Sequence, residues 1–116
     1  STVQQATNPI VADRAYDTVG TSSTAVDTFS ISLYRGAKYT YVAKTLTGNN
    51  YEIGDVKVIH DGVNAYLSST FTSKTGTTML TWTSSIDIYG ILTLSAQGTH
   101  TDAKVKYHVT YLTEPI

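Results

Sequence analysis

The chain has no cysteine, a single methionine, two prolines, and only 15% charged residues among its 116 positions. Without thiols, disulfide staples, thiolate nucleophiles and cysteine-type zinc sites are excluded, and the redox compartment stays open. The shortage of charge excludes other partners. Eight basic and nine acidic side chains leave a formal net charge of −1 and a pI near 6.2, so there is no basic field to draw in a phosphate backbone and no acidic tail, and nucleic acid is not expected as a partner. No apolar run approaches the ~18 residues of a membrane span, and no charged-then-apolar leader is expected within these residues. The only methionine is Met79. Ser1 is therefore not a translation start, and the expectation is a processed product or one domain of a longer polypeptide.

What replaces charge is hydroxyl. Serine and threonine supply more than a quarter of the chain, where a soluble domain would carry about 25% charged residues. Solvent-facing positions must be hydroxyl-rich, which leaves strand edges poorly defended against pairing with other chains and points to assembly as a homo-oligomer. A chain of this length forms one domain and buries about two thirds of its unfolded surface without metal or disulfide help.

Apolar residues never recur at helical spacing over three turns, and β-branched and aromatic residues dominate. Seven or eight short strands at about ten-residue spacing predict an all-β antiparallel sandwich, jelly-roll-like in character. Residues 1–13 are polar and lack a period, so they are expected to form an extended arm or linker, with residues 14–116 as the sandwich. Phe29, Ile31 and Leu33 should face inward, and the last strand is the clearest, with Val105, Tyr107, Val109 and Tyr111 on one face and Lys104, Lys106, His108 and Thr110 on the other. Ser84 to Tyr89 reads as an irregular connection.

The strongest local signal is the hairpin around His60, Asp61, Gly62 and Asn64. A two-residue turn at Asp61-Gly62 needs positive φ at both positions. It would set His60 opposite Val63, Val58 opposite Ala65 and Val56 opposite Leu67, gathering the apolar positions on one face.

Candidate chemistry is sparse. His60, His100 and His108 lack the convergent spacing of a zinc or nickel site, and His60 is expected to brace the hairpin. Asp55, Asp61, Asp87 and Asp102 lie mostly beside turns; with no Asp-x-Asp-x-Asp loop, turn capping is the expected role, and a calcium ion in the loops is left open. Glu52 and Glu114 are the only glutamates. Neither is placed near an Asp by the sequence as glycoside hydrolysis would require, and no Gly-x-Ser-x-Gly elbow occurs, so an enzyme is not expected and no cofactor is implied. Nine tyrosines are the unusual resource, suited to core packing, to subunit interfaces or to sugar stacking. Arg35, Lys38, Tyr66 and Tyr89 are the candidate interface residues. The two cations, flanking a turn, are expected to meet a neighbour's carboxylates or carbonyls or to remain solvated.

Asp27-Thr28-Phe29, Tyr34-Arg35-Gly36-Ala37-Lys38-Tyr39 and Val58-Ile59-His60-Asp61-Gly62-Val63-Asn64-Ala65-Tyr66, in this order and followed by Gly90-Ile91-Leu92-Thr93-Leu94 and a closing Val105-Lys106 strand, resemble β-sandwich modules in virion structural proteins of tailed marine bacteriophages, especially cyanophages. The likeness runs from about Tyr16 to Leu112. It departs from the family pattern at Gly36, where serine is common, and at an Ile88-Tyr89 insertion. The resemblance implies a virion location and a non-enzymatic role in a capsid-decorating, neck, tail or fibre module, with other virion proteins and further copies of the chain as partners. A carbohydrate-binding module for host adhesion, using Tyr66 and Tyr89 against a surface glycan, is the alternative.

Overall fold

Period-two alternation needs one covered and one open face, and the computed structural model, which describes residues 10–115 and side chains from residue 19 onward, provides both. Eight strands follow one another: β1 (Ile10–Val19), β2 (Thr24–Ser30), β3 (Gly36–Thr45), β4 (Tyr51–His60), β5 (Ala65–Ser73), β6 (Leu80–Ile86), β7 (Ile91–Gly98) and β8 (Ala103–Leu112). They form two antiparallel sheets, β1-β8-β3-β4-β5 and β2-β7-β6, an all-β sandwich. The nested β1–β8 and β2–β7 pairings wrap the two ends of the chain around its middle in jelly-roll fashion, while β3, β4 and β5 form a simple meander.

Several boundaries differ from the sequence expectation. Ile10 to Asp13, assigned to the arm, belong to β1 and pair with Tyr111 to His108 of β8. Ile10-Val11-Ala12 is an apolar run that the polar residues before it masked, and the strand's ladder covers the free edge of β8. The rest of the arm, residues 1–9, lies outside the described residues. Leu33 is 63% exposed because β2 ends at Ser30 and the backbone N–H groups of Leu33 and Tyr34 turn back onto the Ser30 carbonyl. Ser84 to Ile86 continue β6, paired with Leu94 to Leu92.

The central hairpin keeps its facing but not its register. His60 lies opposite Ala65 and Val58 opposite Leu67, so the loop is the four residues Asp61 to Asn64. Only Gly62 has positive φ (96°), and Asp61 does not, which rules out the two-residue turn. The Asp61 side chain instead accepts the N–H groups of Val63 and Asn64 and closes a wider turn. A register slip of two residues preserves which side chains face inward, so the core is unaffected.

The core lies between the sheets. Tyr39 and Tyr41 of β3 and Tyr107 and Tyr111 of β8 all point inward, against Phe29, Leu92, Leu94 and Trp82 of the smaller sheet. Each inward ring end needs a polar partner. Tyr39 and Tyr111 both donate to the Asp27 carboxylate at 2.7 Å, Tyr107 donates to the Val26 carbonyl at 2.7 Å, and Tyr41 donates to Glu52 at 2.7 Å. Val26 is the bulged residue of β2, and the extra residue leaves its carbonyl outside the ladder and available to Tyr107. The Tyr39, Tyr107 and Tyr111 hydroxyls are thus tied to β2, while that of Tyr41 is tied to β4 of its own sheet. Burial first, then the adjacent carboxylates, push the Tyr39 and Tyr41 phenols well above their ordinary range. The Trp82 indole N–H has no hydrogen-bond partner among the described residues, and the Trp82 and Tyr41 ring centroids are 4.9 Å apart with the planes tilted by 55°.

Candidate binding surfaces

One end of the sandwich gathers the β2–β3, β4–β5 and β6–β7 loops, since Gly36 pairs with both Ile59 and Leu112 and Ser30 pairs with Ile91. His60 is buried at this end. Its Nε2 is 2.8 Å from the Tyr34 carbonyl and its Nδ1 is 3.1 Å from the Gly62 backbone nitrogen. Neutral imidazole protonated at Nε2 satisfies both, donating to Tyr34 and accepting from Gly62. Arg35 donates to the His60 carbonyl at 3.0 Å and grips Glu114 through Nε and Nη2 at 2.6 and 2.7 Å. The paired hydrogen bonds from Arg35 hold the Glu114 carboxyl below its usual range and raise Arg35 in return. Arg35 therefore meets a carboxylate of its own chain, whereas the sequence expectation looked to a neighbour's.

Asp61 is the most perturbed surface acid among those with described side chains. The N–H groups of Asn64 and Val63, followed by the Tyr66 hydroxyl, pull its carboxyl down to about 2. Because the folded value lies below the unfolded one, the turn's contribution to stability is complete above the ordinary carboxyl range and is lost as pH falls through about 2. An Asp61→Ala variant is accordingly expected to be less stable than wild type at neutral pH. Chemical denaturation at a series of pH values should show the gap closing as the pH falls from about 4 towards 2.

Beyond this anchored framework the loop tips are apolar. Val63, Ile88 and Tyr89 are 76, 92 and 81% exposed. The Asp87 carboxylate fixes the β6–β7 turn by accepting the Tyr89 and Ile91 N–H groups at 2.8 and 3.0 Å. Tyr66 is exposed at the start of β5 with its hydroxyl on Asp61.

The second surface is the outer face of the large sheet. With Val56, Val58 and His60 inward, parity sends Tyr51, Ile53, Lys57 and Ile59 outward, and on β3 it sends out Lys38, Thr40, Val42 and Lys44. Lys104 and Lys106 of β8 join them. Asp55 is the acid of β4 on this side, and it accepts the Thr40 hydroxyl at 2.8 Å. Shallow hollows run across this face, lined by Thr40, Ile53 and Thr70, by Lys38, Lys57 and Ser68, and by Val42, Tyr51 and Lys74.

The structure brings His60, Asp61, Gly62, Asn64, Arg35 and Tyr66 together around one loop, sets Tyr89 on another loop at that end, and puts Lys38 on the sheet face. Asp102 accepts the Thr47 hydroxyl and N–H at the opposite end. His100 contacts Thr99 and Asn50 there. Among the described residues no group of three or more acids or histidines is placed to hold a metal ion. Sequence reading missed Asp27 and Glu52 as interior acids. Glu52 is 2% exposed and accepts the Met79 N–H at 2.6 Å as well as the Tyr41 hydroxyl. Its signal was available: parity with Val56 and Val58 places position 52 inward.

Fold and surfaces together define a β-sandwich module with packing or binding faces. No protein-family model matches this chain, and no curated protein matches it. Among solved structures it is similar to part of the tailspike protein of Acinetobacter phage vB_ApiP_P1, at 19% identity and a TM-score of 0.54, over 89% of this chain and 21% of that one. The chain spans about a fifth of that tailspike's length, and the likeness is one of fold. No helix among the described residues is long and apolar enough to cross a membrane.

Proposed function

We propose that this chain is a non-enzymatic module of a phage virion, associated with the tail, and that it acts in particle assembly alongside other virion proteins. The observation that carries the reading is the fold likeness to a segment of a phage tailspike, which agrees with the ordered motifs in the sequence. Those motifs are structural in this fold: Asp27 receives Tyr39, Arg35 holds the hairpin carbonyl, and His60 braces the loop. The interior acids join the sheets, Asp27 of β2 receiving Tyr39 and Glu52 of β4 receiving the Met79 N–H just ahead of β6, in keeping with a mechanical role.

Homo-oligomerisation is part of this proposal, through β5. It is the last strand of the large sheet, nine residues long without a charged side chain or proline, and such an edge favours pairing with another chain. Sedimentation of the isolated chain should reveal an oligomer that Ser69→Lys combined with Phe71→Lys dissociates. A stable wild-type monomer, or the absence of this domain from density in intact particles, would overturn the assembly reading. Host-glycan binding is the second reading, favoured by the exposed Tyr89 on a fixed turn. Glycan arrays with Tyr66→Ala and Tyr89→Ala would detect it as loss of signal.

A further inference from the structure

Folding sorts the charge of this chain in a way its net value conceals. Five of the six lysines, Lys38, Lys44, Lys57, Lys104 and Lys106, stand exposed on the outer face of the large sheet. Most of the acids with described side chains lie elsewhere: Asp27 and Glu52 between the sheets, Asp61, Asp87 and Glu114 at the loop end, and Asp102 at the other. Asp55 alone of the acids with described side chains shares the lysine face. Lys38 is directly opposite Lys57, and Lys44 directly opposite Lys104. Like charges so placed on adjacent strands repel, and among the described residues none of the five lysines forms an ion pair. The protein therefore carries a repulsion that an external anion would relieve.

We propose that this face binds an extended, carboxylate-bearing polysaccharide. The two lysine pairs lie six residues apart along β3, about 20 Å at the rise of a strand, so one elongated polyanion can engage both where a small anion cannot. The floor between them holds the Thr40 hydroxyl, which donates to Asp55, and the half-exposed aliphatic groups of Val42 and Ile53, with the Thr70 hydroxyl on the neighbouring β5. That mixture matches the hydroxyl and C–H surfaces of a sugar ring. A nucleic acid would call for arginine forks, and Arg35 is committed to Glu114 at the loop end; the one tyrosine directly opposite a lysine of this face, Tyr51 across from Lys44, offers a ring that stacks on the C–H face of a sugar. A second copy of the same face would set lysine against lysine. The inference stands apart from the assembly reading, which uses the β5 edge.

The test is titration of the full chain with polygalacturonate, with neutral dextran, single-stranded DNA and inorganic sulfate as parallel probes. Polygalacturonate should bind, dextran should not, and affinity should fall steeply with added salt. Lys38→Gln with Lys57→Gln, or Lys44→Gln with Lys104→Gln, should weaken binding by about tenfold or more. A control with the same change in net charge on the opposite sheet, Thr81→Glu with Thr83→Glu, should leave it within about twofold. Without ligand, the lysine variants should melt no lower than wild type in low salt, which verifies folding. Equal binding by the lysine variants, tighter binding of DNA, or sulfate matching the polymer at equal charge would each overturn the proposal.

Discussion

Asp27→Ala is expected to lower the unfolding free energy by about 3 kcal/mol, since it removes one charged acceptor shared by two phenolic hydroxyls that face the core. Both Tyr39 and Tyr111 donate to the same Asp27 oxygen at 2.7 Å, and the two residues are only 1 and 6% exposed. They come from β3 and β8 of the large sheet while Asp27 belongs to β2 of the small one, so the loss falls on the contact between sheets. Urea denaturation gives the number, and a thermodynamic cycle identifies its cause. With Tyr39→Phe and Tyr111→Phe already in place, Asp27→Ala should cost far less, because the hydroxyls that shared the carboxylate are gone. An equal cost in both backgrounds would assign the effect to something other than these hydrogen bonds.

A comparable loss, about 2–4 kcal/mol, is expected for Gly54→Ala, where one added methyl has nowhere to go. Gly54 lies inward on β4, directly opposite Tyr41. A Cβ there would stand 2.8 Å from the Tyr41 ring and hydroxyl, and closer still to the Thr70 carbonyl oxygen of β5. Backbone cannot retreat without opening the β4–β5 ladder, and the ring cannot retreat without leaving Glu52 and Trp82. Gly20→Ala is the control: nothing lies within 4 Å of its added methyl and its φ is not positive. Thermal melts should show Gly20→Ala within about 0.5 kcal/mol of wild type and Gly54→Ala far below it. Near-equality of the two would mean that the sheet deforms at Gly54 at little cost.

These two positions also show where sequence reading stops. β8 was legible residue by residue, because alternation is a local property and Val105 to Tyr111 alternate without a break. In β4 the same rule misleads the eye. Tyr51 and Ile53 look like core and face outward, while Glu52 and Gly54 look like solvent and face inward. The inward side chains there are chosen by what Tyr41 and Met79 require, and both lie well away along the chain. The hairpin loop was misjudged by two residues, since facing is unchanged by an even slip and only the capping by Asp61 distinguishes the alternatives.

From the amino acids alone came the all-β class and the inward rows of β8 and of the β4–β5 hairpin around Val56, Val58, Ala65 and Leu67, because both depend on a period of two within a few neighbouring residues. Tertiary structure alone decided that Arg35 finds Glu114, that Asp27 collects two tyrosines, and that the lysines share one face. Each of these joins residues from different strands, and which strands become neighbours is settled by packing two whole sheets together, a global balance that no local pattern encodes.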